Sequence, residues 1–276
     1  MISPTGTTHL AAVIGDPVRH SLSPAIHNAA FAACDLDWVY VALPVSAGNG
    51  GAAVRAMATL GIGGLSVTMP HKADVAAAVD RRTPAVDKLG FCNCVFRDGD
   101  TLVGDSTDGD GLVRSLQHDE GISVDGAATM VIGTGGAASA IIEAFGRHGA
   151  ADIVVTSRSP QRAAEAARLA GNARAGSAVD ASQMDLIVNA SPVGMAGGPA
   201  PGDLPLDADI LTDRHAVIDI VYQPRVTPLL AAAGERGAVA VNGVGMLVHQ
   251  AALAFERWTG EPAPIDAMLS AAFPDR

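Results

Sequence analysis

Three closely spaced glycines, Gly133, Gly135 and Gly136, stand between an apolar run at residues 129–132 and a helix-forming segment at residues 137–148. A strand, a tight glycine turn and a helix in this order predict a phosphate-binding loop. Gly133 allows the turn and Gly135 lets the backbone approach a pyrophosphate, while the free N–H groups at the start of the helix hold the anion. The alternative is a tight strand-to-helix turn without a ligand.

Two serines and two arginines, Ser157, Arg158, Ser159 and Arg162, follow the next apolar run at residues 152–156. NAD sites usually carry an acidic residue at this point, which accepts a hydrogen bond from the ribose 2′-hydroxyl. Guanidinium and hydroxyl groups instead suit the 2′-phosphate of NADP. The sequence therefore predicts NADP as the cofactor, against the alternative of exposed loop cations.

Two hydroxyl side chains, Ser21 and Ser23, flank the start of a predicted helix that opens with Pro24. Hydroxyl groups at a helix N-terminus can bind a carboxylate, and the helix dipole assists them. Taken alone, Ser23 is more typical of a helix N-cap and Ser21 of a loop hydroxyl.

These groups must be positioned by an alternation of strands and helices. The first hundred residues alternate and end in a predicted hairpin, a helical connector follows, and the alternation then resumes. The predicted strands lie at residues 10–15, 38–43, 64–68, 91–96, 101–104, 129–132, 152–156, 186–189, 216–220 and 239–241. Such alternation indicates an α/β fold, and 276 residues suffice for two domains.

Bulk composition limits the partners of the chain. The formal net charge is −11 and no run of Lys or Arg occurs, so we expect no nucleic-acid or anionic membrane partner. The cysteines, Cys34, Cys92 and Cys94, do not suggest a disulfide framework, and no second Cys or His pair completes a metal site.

Residues 126–146 are largely apolar, but their glycines and Glu143 argue against a membrane span. No signal peptide is visible in the first eight residues, so we expect a cytoplasmic protein.

The chain resembles the shikimate dehydrogenase family in motifs that follow the family's order over nearly its whole length. In the first part these are Gly15-Asp16-Pro17-Val18-Arg19-His20-Ser21-Leu22-Ser23-Pro24, Ser66-Val67-Thr68-Met69-Pro70-His71-Lys72, Leu89-Gly90-x-x-Asn93 and Gly104-x-x-Thr107-Asp108-Gly109. In the second part they are Gly133-x-Gly135-Gly136-Ala137, Ser157-Arg158-Ser159-x-x-Arg162, Asn189-Ala190-Ser191-Pro192-x-Gly194-Met195, Asp219-x-x-Tyr222-x-Pro224-x-x-Thr227-Pro228 and Gly243-x-x-Met246-Leu247-x-x-Gln250.

The resemblance implies two α/β domains with the reaction in a cleft between them. The substrate domain would comprise residues 1–107, completed by C-terminal helices at residues 245–276, and the Rossmann-like, doubly wound NADP-binding domain residues 108–244. Hydride transfer from NADPH would reversibly reduce 3-dehydroshikimate to shikimate. Lys72 and Asp108 would handle the proton that the resulting alkoxide needs.

The resemblance also implies which residues bind the two ligands. For the substrate these are Ser21 and Ser23 at the carboxylate, Tyr222 near it, and Ser66, Thr68, Asn93 and Gln250 around the ring. For the cofactor these are Gly133, Thr134, Gly135, Gly136, Ala137, Ser157, Arg158, Ser159, Arg162, Gly243 and Met246. No metal is implied.

Three positions depart from the usual family pattern: Ser66 and Ser106 each stand in place of Asn, and Cys94 in place of Thr. Because lost polar contacts change selectivity, quinate or a related hydroxy acid is an alternative substrate. A second alternative is a non-catalytic NADP sensor on the same fold, although a sensor needs neither Lys72 nor Asp108. A monomer and a homodimer are both compatible with the sequence.

Overall fold

The computed structural model describes residues 4–273 and divides the chain into two compact units. Unit 1 comprises Met1–Gly111 and Val248–Arg276, and unit 2 comprises Leu112–Leu247. The predicted boundaries, after residues 107 and 244, fall about one helical turn before these divisions. Residues 1–3 and 274–276, which the prediction included in the substrate domain, lie outside the described residues.

Unit 1 is built on a six-stranded sheet in the order β2-β1-β3-β5-β6-β4. Strand β1 runs parallel to β2 and β3, whereas β5 is antiparallel to both of its neighbours, and β4 pairs in parallel with β6. The strands are β1 His9–Gly15, β2 Trp38–Pro44, β3 Gly64–Val67, β4 Arg81–Arg82, β5 Cys94–Asp98 and β6 Thr101–Asp105.

The helices of unit 1 cover apolar strand faces. Ile14 of β1 and Leu65 of β3 pack with Val54 and Met57 of the second helix in one core cluster. The helices that precede the second unit are α1 Ser23–Ala33, α2 Gly50–Leu60, α3 Lys72–Ala76 and α4 Pro84–Leu89, followed by α5 Asp108–Asp119, which begins in unit 1.

Unit 2 is built on a six-stranded, fully parallel sheet in the order β12-β11-β10-β7-β8-β9. This is the Rossmann order, and its topological switch point lies between β7 and β10. The strands are β7 Ala128–Ile132, β8 Asp152–Thr156, β9 Ala173–Ala175, β10 Leu186–Asn189, β11 Ala216–Asp219 and β12 Val239–Asn242.

Helices cover both faces of this sheet, as a parallel sheet requires. Val131 packs with Ile141 in one apolar cluster, and its neighbour Met130 packs with Leu229 in another. The helices are α6 Gly136–Arg147, α7 Pro160–Ala167, α8 Pro228–Glu235 and α9 Val244–Thr259, and α10 Ile265–Ala272 follows in unit 1. Short 3-10 turns cover Ala178–Gln183 and Ala208–Ile210.

The α/β fold class predicted from the sequence is confirmed, but local details differ. The N-cap interpretation of Ser23 is wrong, because α1 begins at Ser23 itself and Leu22 occupies the N-cap position. Strands β4 and β9 and helix α4 were not predicted, since each is too short to show a periodic apolar pattern. Within residues 4–273, no helix is long and apolar enough to cross a membrane.

Candidate functional site

Lys72 and Asp108 form an ion pair in unit 1. Lys72 is the first residue of α3 and Asp108 the first of α5, and Lys72 Nζ lies 2.6 Å from Asp108 Oδ2. Their side chains are 22% and 13% exposed, so the pair is neither sealed in the core nor free in solvent. A cation held by a carboxylate and open to one side can donate a proton to a bound oxygen atom.

The second oxygen of the Asp108 carboxylate is held by Asn93. Asn93 Nδ2 donates to Asp108 Oδ1 at 2.7 Å and to Thr107 Oγ1 at 2.9 Å, and Asn93 Oδ1 accepts from the backbone N–H of Thr107 at 2.7 Å. The backbone N–H of Cys92 donates to the Lys72 carbonyl at 3.1 Å. The segment before β5 therefore fixes both members of the ion pair.

The predicted carboxylate site, Ser21 and Ser23, lies at the start of α1, where both residues are half-buried. Ser21 Oγ accepts a hydrogen bond from the backbone N–H of Ser23 at 3.2 Å. This local bond orients the Ser21 hydroxyl towards the first turn of the helix. The two hydroxyl groups and the helix N-terminus are thus brought together as an anion site would require.

Two of the three residues that depart from the family pattern, Ser66 and Cys94, lie opposite each other on neighbouring strands. Ser66 of β3 pairs with Cys94 of β5, so their side chains lie on the same sheet face. Cys94 is fully buried beside Trp258 of α9, and burial raises the pKa of its thiol well above the usual value. Ser106 is buried as well, and its backbone N–H donates to Asp105 Oδ1 at 2.8 Å.

Tyr40 is a residue at this site that the sequence did not single out. Its side chain is buried, and burial raises the pKa of the phenol, while the neighbouring Ser66 and Ser23 hydroxyls act in the opposite direction. The phenol therefore adjoins two predicted substrate-binding serines. A polar aromatic residue within the apolar run of β2 is the signal that could have identified it.

Thr68 follows β3 at the end of the sheet. Its backbone N–H donates to the carbonyl of Ile14 at 2.9 Å, and a Cβ at Gly15 would lie only 2.4 Å from Thr68 Cγ2. The glycine thus gives the threonine room to pack against the end of β1. Thr68 is half-buried, as is Gln250 in α9.

The predicted phosphate loop of unit 2 has the expected geometry. Gly133 follows β7 with a φ of 126°, a conformation that favours glycine, and a Cβ there would lie 2.7 Å from the Ala190 carbonyl oxygen. Helix α6 begins at Gly136. Its N-cap residue is Gly135, which has no side chain that could accept from the first N–H groups of the helix. Its first N–H groups are therefore available to an anion at the switch point of the sheet. Thr134 in the glycine turn and Ala137 in the first turn of α6 are both half-buried.

The predicted 2′-phosphate residues lie at the end of β8, next to this loop in the sheet. Ser157 Oγ donates to the Ser159 carbonyl at 2.7 Å, and Ser159 Oγ accepts from the backbone N–H of Arg162 as the N-cap of α7. Arg158 and Arg162 are exposed. Two guanidinium groups at this strand end suit a dianionic phosphate.

A buried carboxylate, Asp219, organises the loop that carries Tyr222. Asp219 Oδ1 accepts from Asn189 Nδ2 at 3.0 Å and from the backbone N–H of Val221 at 3.1 Å, and Oδ2 accepts from Thr227 Oγ1 at 2.7 Å. Burial raises the pKa of Asp219, and these three donors partly offset that effect. Tyr222 lies half-buried in the segment that the network holds at both ends.

The last two predicted cofactor residues differ in their surroundings. Gly243 packs against the backbone of Ile220, whose carbonyl oxygen would lie 2.0 Å from a Cβ at this position. Met246, by contrast, is only 8% exposed and belongs to the apolar cluster that contains Val131. Any contact of Met246 with a ligand is therefore limited to a small part of its side chain.

Family models match three segments of the chain. Residues 13–95 match the shikimate dehydrogenase substrate binding domain, and residues 243–273 match the shikimate 5′-dehydrogenase C-terminal domain. The segment between them, at residues 129–221, matches the coenzyme F420-dependent NADP oxidoreductase model. Lys72 and the hydroxyl groups of Ser21 and Ser23 thus fall within the substrate-binding family model, whereas Asp108 follows its end in sequence.

Whole-chain comparisons agree with these matches. A shikimate dehydrogenase (NADP(+)) of Geobacter sulfurreducens is 40% identical over 272 residues, which cover 94% of each chain. The shikimate 5-dehydrogenase of Thermus thermophilus, solved with NADP(H) and shikimate, superposes with a TM-score of 0.88 at 32% identity and covers 96% of this chain and 98% of its own. A quinate dehydrogenase of Corynebacterium glutamicum, solved with NAD, superposes with a TM-score of 0.87 at 28% identity, covering 96% and 98%. The chain belongs to the shikimate dehydrogenase family.

Proposed function

We propose that the chain catalyses the reversible, NADP-dependent reduction of 3-dehydroshikimate to shikimate. The observation that carries this proposal is the 2.6 Å contact between Lys72 and Asp108 in a member of this family. A sensor of NADP has no need of such a proton-handling pair. Relatives about 40% identical over almost the whole chain are named NADP-dependent shikimate dehydrogenases, which supports the same activity here.

The geometry of the pair favours Lys72 as the proton donor during reduction. NADPH supplies the hydride, and the former ketone oxygen must then receive a proton. Asp108 accepts hydrogen bonds on both oxygens, from Lys72 and Asn93, and therefore acts as a carboxylate without a proton to give. The Lys72 ammonium retains further N–H groups for the substrate oxygen. Asp108 orients Lys72.

We propose the following ligand-binding residues on the same basis. The substrate contacts Ser21, Ser23, Ser66, Thr68, Asn93, Tyr222 and Gln250. NADP contacts Gly133, Thr134, Gly135, Gly136, Ala137, Ser157, Arg158, Ser159, Arg162, Gly243 and Met246. The substrate domain then corresponds to unit 1 and the cofactor domain to unit 2. We further propose a cytoplasmic enzyme that acts as a monomer or homodimer.

Quinate is a second candidate substrate, favoured by Ser66. The serine is shorter than the Asn usual in the family, and its hydroxyl adjoins the Tyr40 phenol, as does that of Ser23. Quinate carries an additional hydroxyl group near its carboxylate, which a shorter side chain at position 66 would accommodate more readily than Asn. Replacing Ser66→Asn should then lower the ratio of quinate to shikimate turnover by about tenfold, because the net contribution of one hydrogen bond is ~0.5–1.5 kcal/mol.

The direct test measures formation of the reduced cofactor by absorbance, NADPH with NADP and NADH with NAD, with shikimate and with quinate as substrates. We expect the highest kcat/KM for shikimate with NADP. A higher kcat/KM for quinate would replace the substrate assignment but not the reaction class. If the protein binds NADP and none of the four pairs turns over, the enzyme proposal is wrong and the sensor alternative replaces it.

A further inference from the structure

Gly111 of α5 packs directly against the backbone of Gln250 in α9. Gly111 is buried, and a Cβ at this position would lie 2.6 Å from Gln250 N and 2.8 Å from both Gln250 Cα and Cβ. Such distances are far inside van der Waals contact, and backbone atoms cannot move aside as a flexible side chain can. The two helix segments therefore approach at this point more closely than any other residue at position 111 would allow.

The same face of α5 carries the ion pair. Asp108 and Gly111 are three residues apart in one helix, so they lie on the same side of it, one turn apart. Asp108 is joined there to Lys72 and to Asn93. A residue packed on Gly111 thus lies on the same side of α5 as Asp108. The contact therefore places Gln250 on the side of α5 that carries the ion pair.

The local backbone gives no other reason for a glycine. Gly111 lies within a right-handed helix, and its φ is not positive. Alanine stabilises the interior of a helix more than glycine does. The exposed glycine of α8, Gly234, is a contrasting case, because a Cβ there would have no atom within 4 Å apart from its own helical backbone and chain neighbours. The requirement at position 111 is therefore close approach to Gln250.

We propose that Gly111 is a positioning residue, which sets the distance of the Gln250 amide from the Lys72–Asp108 pair and so from the substrate ring. This inference rests on the proposed function, in which Gln250 contacts a ring hydroxyl group of the acid. A side chain at position 111 pushes this part of α9 outward and carries the Gln250 amide away from the reacting carbon. The pair itself, and the cofactor site of unit 2, stay unchanged.

The test is a double-mutant cycle with Gly111→Ala and Gln250→Ala, and Gly234→Ala is the matched control for adding a methyl group to a helix. Steady-state kinetics use the acid that the wild type oxidises, shikimate or quinate. We expect Gly111→Ala to lower kcat/KM for the acid by about 10- to 100-fold, as displacements of about 1 Å do. The Kd for NADP stays within about twofold of wild type. In the Gln250→Ala background the same change has almost no further effect, because no amide remains to be displaced.

A purely structural role predicts a different pattern. It would lower the melting temperature and reduce kcat/KM by the same factor in both backgrounds, and additive losses would overturn the proposal. If Gly111→Ala does not fold, Gln250→Asn tests the same geometry, because it retracts the amide by one carbon without a backbone clash. Wild-type kcat/KM in Gln250→Asn would then overturn the positioning role of Gly111.

The failure of this inference can be told from the failure of the proposed function. A wild type that turns over neither acid overturns the proposed function as well, whereas an additive cycle in an active enzyme overturns the role of Gly111 alone.

Discussion

Asn93 Nδ2 lies 2.7 Å from Asp108 Oδ1, and the same amide also donates to Thr107 Oγ1. Both N–H groups of the Asn93 amide are therefore used by the residues that carry the ion pair, which leaves the amide oxygen as the group for the proposed substrate contact. Lys72 holds the opposite oxygen of Asp108. A carboxylate held from both sides has a fixed orientation, and it fixes the ammonium group in turn. Such preorganisation would avoid reorienting Lys72, the proposed proton donor, during the reaction.

Replacing Lys72→Met should abolish most of the turnover while leaving ligand binding largely intact. Methionine keeps much of the side-chain volume but carries no proton to donate. A positioned acid or base contributes ~10²- to 10⁴-fold to a rate, so we expect kcat to fall within that range. Stopped-flow measurement of NADPH oxidation with 3-dehydroshikimate would record the loss.

The chain offers a matched control for this variant, because Lys88 is the second of its two lysines and is exposed on α4. Lys88→Met should retain the kcat of the wild type. Full turnover by Lys72→Met would remove Lys72 from the mechanism.

Replacing Arg158→Ala should weaken the preference for NADP over NAD. Hydrogen bonds to charged groups contribute ~1.5–3 kcal/mol, which corresponds to about 10- to 100-fold in kcat/KM for NADP. The kcat/KM for NAD should change little, because NAD has no 2′-phosphate. Arg168 is exposed immediately after α7, at the opposite end from Arg162, and Arg168→Ala is the control. Equal losses with NADP and NAD would mean that Arg158 does not read the phosphate.

The Rossmann unit could be predicted from sequence because its signals are local. An apolar run, three glycines and a helix follow one another at residues 128–147, and the structure places β7, a tight turn and α6 there. The motifs also identified the residues of the ion pair, although 36 positions separate Lys72 from Asp108. Helix α4 was missed, although Pro84 at its first position and Gly90 with a φ of 72° after its end are typical boundary signals.

The contacts that could not be predicted are those between distant segments that no motif brings together. Asn189 donates to Asp219 across 30 positions, and the apolar runs around each residue predict two strands but not their adjacency. The same holds for Gly111 and Gln250, where a helix contact decides the residue type. The N-cap prediction for Ser23 failed because the helix begins one residue earlier than a cap there would require.

Removing the Asp219 carboxylate should destabilise unit 2. In Asp219→Ala, three donors from Asn189, Val221 and Thr227 lose their acceptor in a buried position. Each orphaned group costs ~1–3 kcal/mol, so we expect the free energy of unfolding to fall by about 3 kcal/mol or more in urea denaturation. Asp213 is exposed on the same unit, and Asp213→Ala should leave stability almost unchanged. An equally small effect at Asp219 would contradict the network's structural role.

The buried imidazole of His27 should make the folded protein sensitive to acid. His27 is fully buried and stacked on Tyr40 with ring centroids 4.4 Å apart, and burial lowers its pKa from 6.5 to about 3. The unfolded chain binds this proton below pH 6.5 and the folded chain does not. The contribution of His27 to the free energy of unfolding is therefore complete above pH 6.5 and falls by ~1.4 kcal/mol for each pH unit towards pH 3.

His27→Phe keeps an aromatic ring against Tyr40 but cannot titrate. Its free energy of unfolding, measured in urea at pH 7 and pH 5, should therefore decline less than that of the wild type. His20 is exposed, and His20→Gln should follow the wild type. Equal declines in His27→Phe and the wild type would show that another group takes up the proton.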